Sequence, residues 1–188
     1  MSKDKIKEVA VQHFNRYGYY GVKMAQIAID AGIRKQSLSY HFPSKIALFT
    51  EIYGEVVDVE ISFVRHFFAA NQQSAWDERL YQFLVEHKNR FITHTEINFM
   101  FVVSFVTPTE ANEIISIKYP QYLAALKDEV TQLFAREQIA WLAPEECAQA
   151  YVTLLDGLDV QLVYENPDAY DQTLKISWRV FSHGIQGS

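Results

Sequence analysis

Residues 18–49 read G-Y-Y-G-V-K-M-A-Q-I-A-I-D-A-G-I-R-K-Q-S-L-S-Y-H-F-P-S-K-I-A-L-F, and the fold is decided there. Two short helices are expected, from about Lys23 to Ala31 and from about Lys35 to His41, with Gly32 supplying the turn between them. Ala28, Ala31 and Gly32 are small enough to let the helices approach closely, while Ile27 and Leu38 fill the wedge and Ile33 lies inside. Pro43 cannot continue the second of them, and Ser44 is a natural cap for the next helix. Upstream, a helix from about Lys3 to Tyr17 carries the stripe Ile6, Val9, Ala10, Phe14 and Tyr17, with Ser2 placed to cap it and Gly18 to end it. The result is a three-helix unit whose last helix can enter a DNA major groove.

The outward side chains suit that task. Arg34, Lys35, Gln36, Ser37, Ser39, Tyr40 and His41 lie on or just before the last helix. Gln pairs bidentately with adenine, Arg and Lys with guanine, and Ser or Tyr hydroxyls hold phosphates. Taken alone, the same residues also read as the solvated face of a short helix.

A net charge of -6, from 17 basic and 23 acidic residues, is on average opposed to a polyanionic partner. The charge is unevenly placed, however. Residues 1–50 hold eight basic groups (Lys3, Lys5, Lys7, Arg16, Lys23, Arg34, Lys35, Lys45) against Asp4, Glu8 and Asp30, a balance of +5, and residues 51–188 carry -11. A basic head on an acidic body brings only the head to DNA.

Beyond the head the periodicity stays helical, with no alternating strand pattern, so the chain is expected to be all-α. A long fourth helix should run from Lys45 to about Ala70, roughly 40 Å at 1.5 Å per residue, enough to join two domains. Further helices are expected at about Ala75–Thr93, Glu96–Val106 and Gln121–Gln138, with Pro108 and Pro120 breaking the intervening segment. Two more come at about Pro144–Tyr164 and Asp168–His183. No apolar run is long enough to span a bilayer and no cationic start leads into a signal segment, so the chain is expected in the cytoplasm. The single cysteine, Cys147, reads as a small buried residue. The six histidines form no H-E-x-x-H or other metal spacing, and neither Gly-rich phosphate loop is present. Neither a cofactor nor an enzymatic activity is expected.

The stretch quoted above closely resembles the DNA-binding segment of the TetR/AcrR family of bacterial transcription regulators. The motifs are I-A-x-x-A-G-I at Ile27–Ile33, L-x-Y-H-F at Leu38–Phe42 and P-S-K-x-x-L-F at Pro43–Phe49, and L-L-D-G-L at Leu154–Leu158 is a weaker echo. The resemblance implies Lys35, Gln36, Ser37 and Tyr40 in or beside the groove, Lys45 on a phosphate and Phe42 in the core. Val22 and Lys23 replace the usual hydroxyl residue before the second helix, so Lys23 is expected to reach a phosphate by charge instead. Gln36 and Ser39 also depart from the family pattern, which points to an altered operator sequence.

Taken together, these readings give a helix-turn-helix domain at residues 1–46 and a helical effector-binding and dimerisation domain at 47–188. The expected function is a repressor released from a palindromic operator by a small molecule, with a ligand-responsive activator or an all-helical enzyme as alternatives. Phe63, Phe67, Phe83, His87, Phe91, Phe99, Phe105, Tyr119 and Tyr122 are candidates for an effector pocket, and equally suit an ordinary core. The resemblance implies a homodimer through the last two helices, with Tyr151, Leu155, Leu158, Leu162, Leu174, Trp178 and Phe181 as its candidate face. Simple closure of the domain core is the alternative for those seven.

Overall fold

A computed structural model describes residues 2–137 and 139–187; Met1, Gln138 and Ser188, among them the expected end of one helix, lie outside the described residues. Among the described residues the chain is all α: α1 (Lys3–Gly21), α2 (Met24–Asp30), α3 (Lys35–His41), α4 (Lys45–Ala70), α5 (Trp76–Thr93), α6 (Thr95–Phe105), α7 (Asn112–Glu137), α8 (Pro144–Tyr164) and α9 (Pro167–Gln186). A 3-10 turn, Thr109–Ala111, leads into α7. No helix among these residues is long and apolar enough to cross a membrane.

Local chemistry explains several boundaries. α1 breaks helical geometry at Gly18 (φ 63°), where a side chain would be strained, and resumes for one short stretch. The Ser44 hydroxyl accepts the Ala47 N–H at 3.1 Å and caps α4. At α9 the Asn166 side chain accepts from the N–H groups of Asp168 and Ala169, both at 3.0 Å. Ser2, in contrast, makes no capping hydrogen bond.

α7 corrects an expectation. Pro120 does not break the chain; the helix runs through it from Asn112 to Glu137. Proline in a helix interior costs about 3 kcal/mol. Burial of Ile115 on one side and of Tyr122, Leu126 and Val130 on the other exceeds that, at ~2 kcal/mol for each large side chain.

The chain forms two compact units, one made of Met1–Asp58 and Ile92–Tyr119, the other of Val59–Phe91 and Pro120–Ser188. Both α4 and α7 contribute to each. In the first, Phe14, Phe49 and Phe99 meet with ring centroids 5.2–5.6 Å apart, and Tyr19 and Tyr53 extend the cluster. Lys3 and Lys7 tie α1 to α4 through Glu51, and Lys7 also reaches Glu55. Tyr20 accepts the Thr109 N–H at 3.0 Å, and Asn15 donates to the Thr95 carbonyl at 2.8 Å.

The second unit packs α5 against α8 and α9. Buried Tyr151 donates to the Leu80 carbonyl and buried Tyr170 to the Leu84 carbonyl, each at 2.7 Å, so two successive turns of α5 are gripped. Burial pushes both phenols well above their usual value. Cys147 is fully buried here.

Candidate nucleic-acid interface

The turn between α2 and α3 is built by Gly32. With φ at 70°, its N–H donates to the Ile29 carbonyl and the next N–H, of Ile33, to the Ala28 carbonyl, both at 2.9 Å. These two bonds satisfy carbonyls that the end of α2 would otherwise leave orphaned. Ile27, Ala28, Ala31, Leu38 and Phe42 are buried beneath the turn, as the sequence requires.

On the opposite side Arg34, Lys35, Gln36, Ser37 and Ser39 are exposed, and Tyr40 is 86% exposed. His41 is half-buried, its ring edge-on to Tyr40 at 5.5 Å. The first six side chains make no hydrogen bond or ion pair within the described chain. The basic residues of the head therefore fall into two sets. Lys3 and Lys7 are paired with Glu51 and Glu55, and Lys5 with Glu8. Arg16, Lys23, Arg34 and Lys35 are exposed and carry no carboxylate partner among the described residues; Arg16 lies on α1, its guanidinium 5.3 Å from the centroid of the Tyr17 ring, and the other three stand at the starts of α2 and α3. Surplus positive charge thus gathers beside the exposed face of α3.

Lys45 stands apart from this group. It is half-buried, and its Nζ donates to the backbone carbonyls of Tyr19 at 2.7 Å and Val22 at 3.4 Å. The phosphate contact implied for it does not match this inward placement.

The nine aromatic and histidine candidates divide between the units. Phe63, Phe67, Phe83, His87, Phe91 and Tyr122 belong to the second, where Phe83 lies 6.0 Å from Phe63, 5.3 Å from Phe67 and 6.3 Å from His87. Phe99, Phe105 and Tyr119 belong to the first, where Phe99 is fully buried in the aromatic cluster and Phe105 meets Tyr119 at 6.2 Å. Arg90 covers the Phe63 ring at 3.9 Å while pairing with buried Glu60. Periodicity did not single out Glu60, because one acidic residue in an apolar stripe reads as exposed. No group of three His, Cys, Asp or Glu among the described residues is placed to hold a metal.

Five of the seven candidate dimer residues are enclosed by the chain itself. Tyr151, Leu155, Leu158, Leu162 and Leu174 are buried inside the chain's own second unit, and Trp178 and Phe181 are half-buried. A side chain already enclosed by its own fold has almost no area to offer a partner. The outward apolar residues of the same helices are instead Val160 and Tyr164 on α8 and Ile176 and Val180 on α9. Their i, i+4 spacing was present in the sequence. Which of the two apolar stripes faced outward was not.

Residues 6–52 match the family described as bacterial regulatory proteins, tetR family. The HTH-type transcriptional regulator RutR of Escherichia coli (strain K12) is 34% identical over 65 residues, 35% of this chain, and the match spans only 31% of RutR. The biofilm operon icaADBC HTH-type negative transcriptional regulator IcaR of Staphylococcus aureus (strain Newman) is 30% identical over 141 residues, covering 73% of this chain and 72% of IcaR. Among solved structures, the transcriptional regulator FadR from Bacillus subtilis in complex with stearoyl-CoA superposes with a TM-score of 0.71 at 17% identity, covering 100% of both chains. That identity supports a shared fold, and the longer IcaR alignment carries the relationship well past the head. The chain belongs to the TetR family of bacterial regulatory proteins.

Proposed function

We propose that this chain is a homodimeric transcription repressor that reads a palindromic operator with α3 and leaves it when a small molecule enters the helical part. The observation that carries the reading is the row Lys35, Gln36, Ser39 and Tyr40, exposed and making no hydrogen bond or ion pair among the described residues, flanked by the unpaired charges of Lys23 and Arg34. IcaR is named a negative regulator, which favours repression over activation. Residues 1–46 would do the reading and 47–188 the sensing and pairing. Two copies joined through Val160, Tyr164, Ile176 and Val180 would set two recognition helices about 34 to 36 Å apart, one turn of DNA.

FadR is named as a complex with stearoyl-CoA, a precedent for a small-molecule effector in this fold. The aromatic group of Phe63, Phe67 and Phe83, with His87 and Tyr122 beside it, is where we place effector contact. Phe63 and Phe67 ride on α4, the helix that begins at Lys45, so a shift of α4 would carry ligand occupancy to the head. An effector does this only if it binds the DNA-incompetent arrangement more tightly.

The test starts from a duplex selected by the protein out of a random-sequence pool. Gln36→Ala should lower affinity for that duplex by roughly tenfold while leaving affinity for unselected DNA unchanged, since one bidentate base contact is worth ~1–3 kcal/mol. Equal loss on both duplexes, or no selected sequence at all, would count against the reading.

A further inference from the structure

Lys45 opens α4, half-buried, with its charged end turned onto backbone carbonyls. The ammonium donates to the Tyr19 carbonyl at 2.7 Å and to the Val22 carbonyl at 3.4 Å, and it sits 4.4 Å from the centroid of the Tyr19 ring. Tyr19 is itself buried, stacked 6.1 Å from Phe14 and edge-on to Phe49 at 5.3 Å. The carbonyls belong to the short passage between the Gly18 break in α1 and Lys23, which leads into α2. Val22 is buried as well. One side chain from α4 thus holds the end of α1 and the entry to α2 together.

Withdrawing the ammonium toward a phosphate would strip two carbonyls of a charged donor in a part-buried site, a loss that a screened contact at the protein surface offsets poorly. Lys23, Arg34 and Lys35 have no such commitment and can meet phosphates without breaking anything. We propose that Lys45 is a positioning residue: it fixes the pose of α2 and α3 on the first turn of α4 by bridging the Tyr19 and Val22 carbonyls, and it does not neutralise a DNA phosphate. Any shift in the start of α4 enters the reading helices through this clamp. The inference rests on the DNA-binding reading above, and its tests separate the two.

Salt titration of DNA affinity distinguishes the roles. For every phosphate that a variant no longer neutralises, the slope of log affinity against log salt falls by about 0.9, or about 1.8 for a two-headed complex. Lys45→Met should weaken binding to the selected duplex by roughly tenfold at every salt concentration with the slope unchanged, and should shrink the preference for selected over random DNA. Lys45→Arg, which keeps donors for both carbonyls, should recover affinity to within about threefold. Lys23→Met should lower the slope on both duplexes. A slope for Lys45→Met reduced as for Lys23→Met, or unchanged affinity, overturns the proposal.

Should Lys45→Met fail to fold, the unmodified protein decides by amine acetylation read by mass spectrometry. Lys45 should react at least about tenfold more slowly than Lys23 and Lys35, which the duplex should protect. Lys45 reacting as fast as Lys23, and protected like it, overturns the proposal. If the unmodified protein binds no duplex, the DNA-binding reading fails, and the acetylation rates still decide whether the clamp exists.

Discussion

His87 Nε2 lies 2.5 Å from Asp159 Oδ1, and neither side chain reaches solvent. The pair joins α5 to α8 in the second unit, and the Tyr122 hydroxyl stands 3.5 Å from the other ring nitrogen of His87. Asp159 Oδ2 is buried with no hydrogen-bond partner among the described residues, so the carboxylate leans on the histidine. A buried polar pair of this kind contributes little net stability when intact and is expensive to break on one side.

Asp159→Leu is therefore expected to destabilise the chain by about 3 kcal/mol, and His87→Leu by a similar amount, because each removes one half of a buried hydrogen-bonded pair. The double variant should lose about 2 kcal/mol less than the two singles added together. Urea denaturation followed by circular dichroism measures all three. Strictly additive losses would mean that the two side chains do not act as a pair.

A second prediction concerns alkaline pH. Tyr53 is fully buried, its hydroxyl hydrogen-bonded to Ser104 Oγ at 2.7 Å, and the Ser104 hydroxyl also lies 2.7 Å from the Met100 carbonyl. Burial, only partly offset by the hydrogen bond to Ser104, pushes the phenol up to about 12 from 10.0. Since the folded value lies above the unfolded one, the stabilisation is intact below pH 10 and is lost as pH rises from 10 to about 12. Tyr53→Phe should lose about 1 kcal/mol at neutral pH with the hydrogen bond, yet show a shallower decline above pH 10. Denaturation midpoints from pH 7 to 12 that fall equally steeply in both proteins would contradict this.

The head was legible in the sequence because its determinants are local. Gly32, Ala28 and Leu38 act within a few residues of one another, and their spacing leaves one arrangement that buries the apolar side. The break expected at Pro120 failed because proline's local cost competes with burial of residues distant in sequence, such as Tyr122 and Val130, which periodicity cannot weigh. α8 and α9 were ambiguous for a different reason. Each carries apolar residues on two sides, and only the packing with α5, through Tyr151 and Tyr170, reveals which side is internal. Lys45 reads as a surface cation until Gly18 turns the chain and brings the Tyr19 carbonyl to it.

The outer face of α8 and α9 yields a third prediction. Tyr164 is 61% exposed and Val180 68% exposed, in helices whose inner positions are already filled. Val180→Glu would place a charge in the proposed dimer contact and weaken self-association by roughly a hundredfold, about 3 kcal/mol. Sedimentation velocity at micromolar concentration should show a dimer for the unmodified chain and a folded monomer for the variant. Leu158→Glu, inside the unit, should instead unfold the chain. A Val180→Glu protein that remains dimeric would place the interface elsewhere.

Gly32 provides the most local test of the reading head. Its φ of 70° suits glycine, and a methyl group added there would meet nothing within 4 Å, so the effect of substitution is confined to the backbone. Gly32→Ala should therefore destabilise by about 1–2 kcal/mol without any packing clash, because an L side chain disfavours the left-handed region by that amount. Gly32→Asn should lose less, since asparagine tolerates this conformation. If the strain is relieved by opening the turn, the two hydrogen bonds from Gly32 and Ile33 break and α3 shifts on α2, so DNA affinity should fall in the same order as stability. Equal stability for the alanine and asparagine variants would show that the turn does not hold the left-handed geometry in solution. A large loss of affinity with no loss of stability would mean that Gly32 itself approaches the DNA backbone.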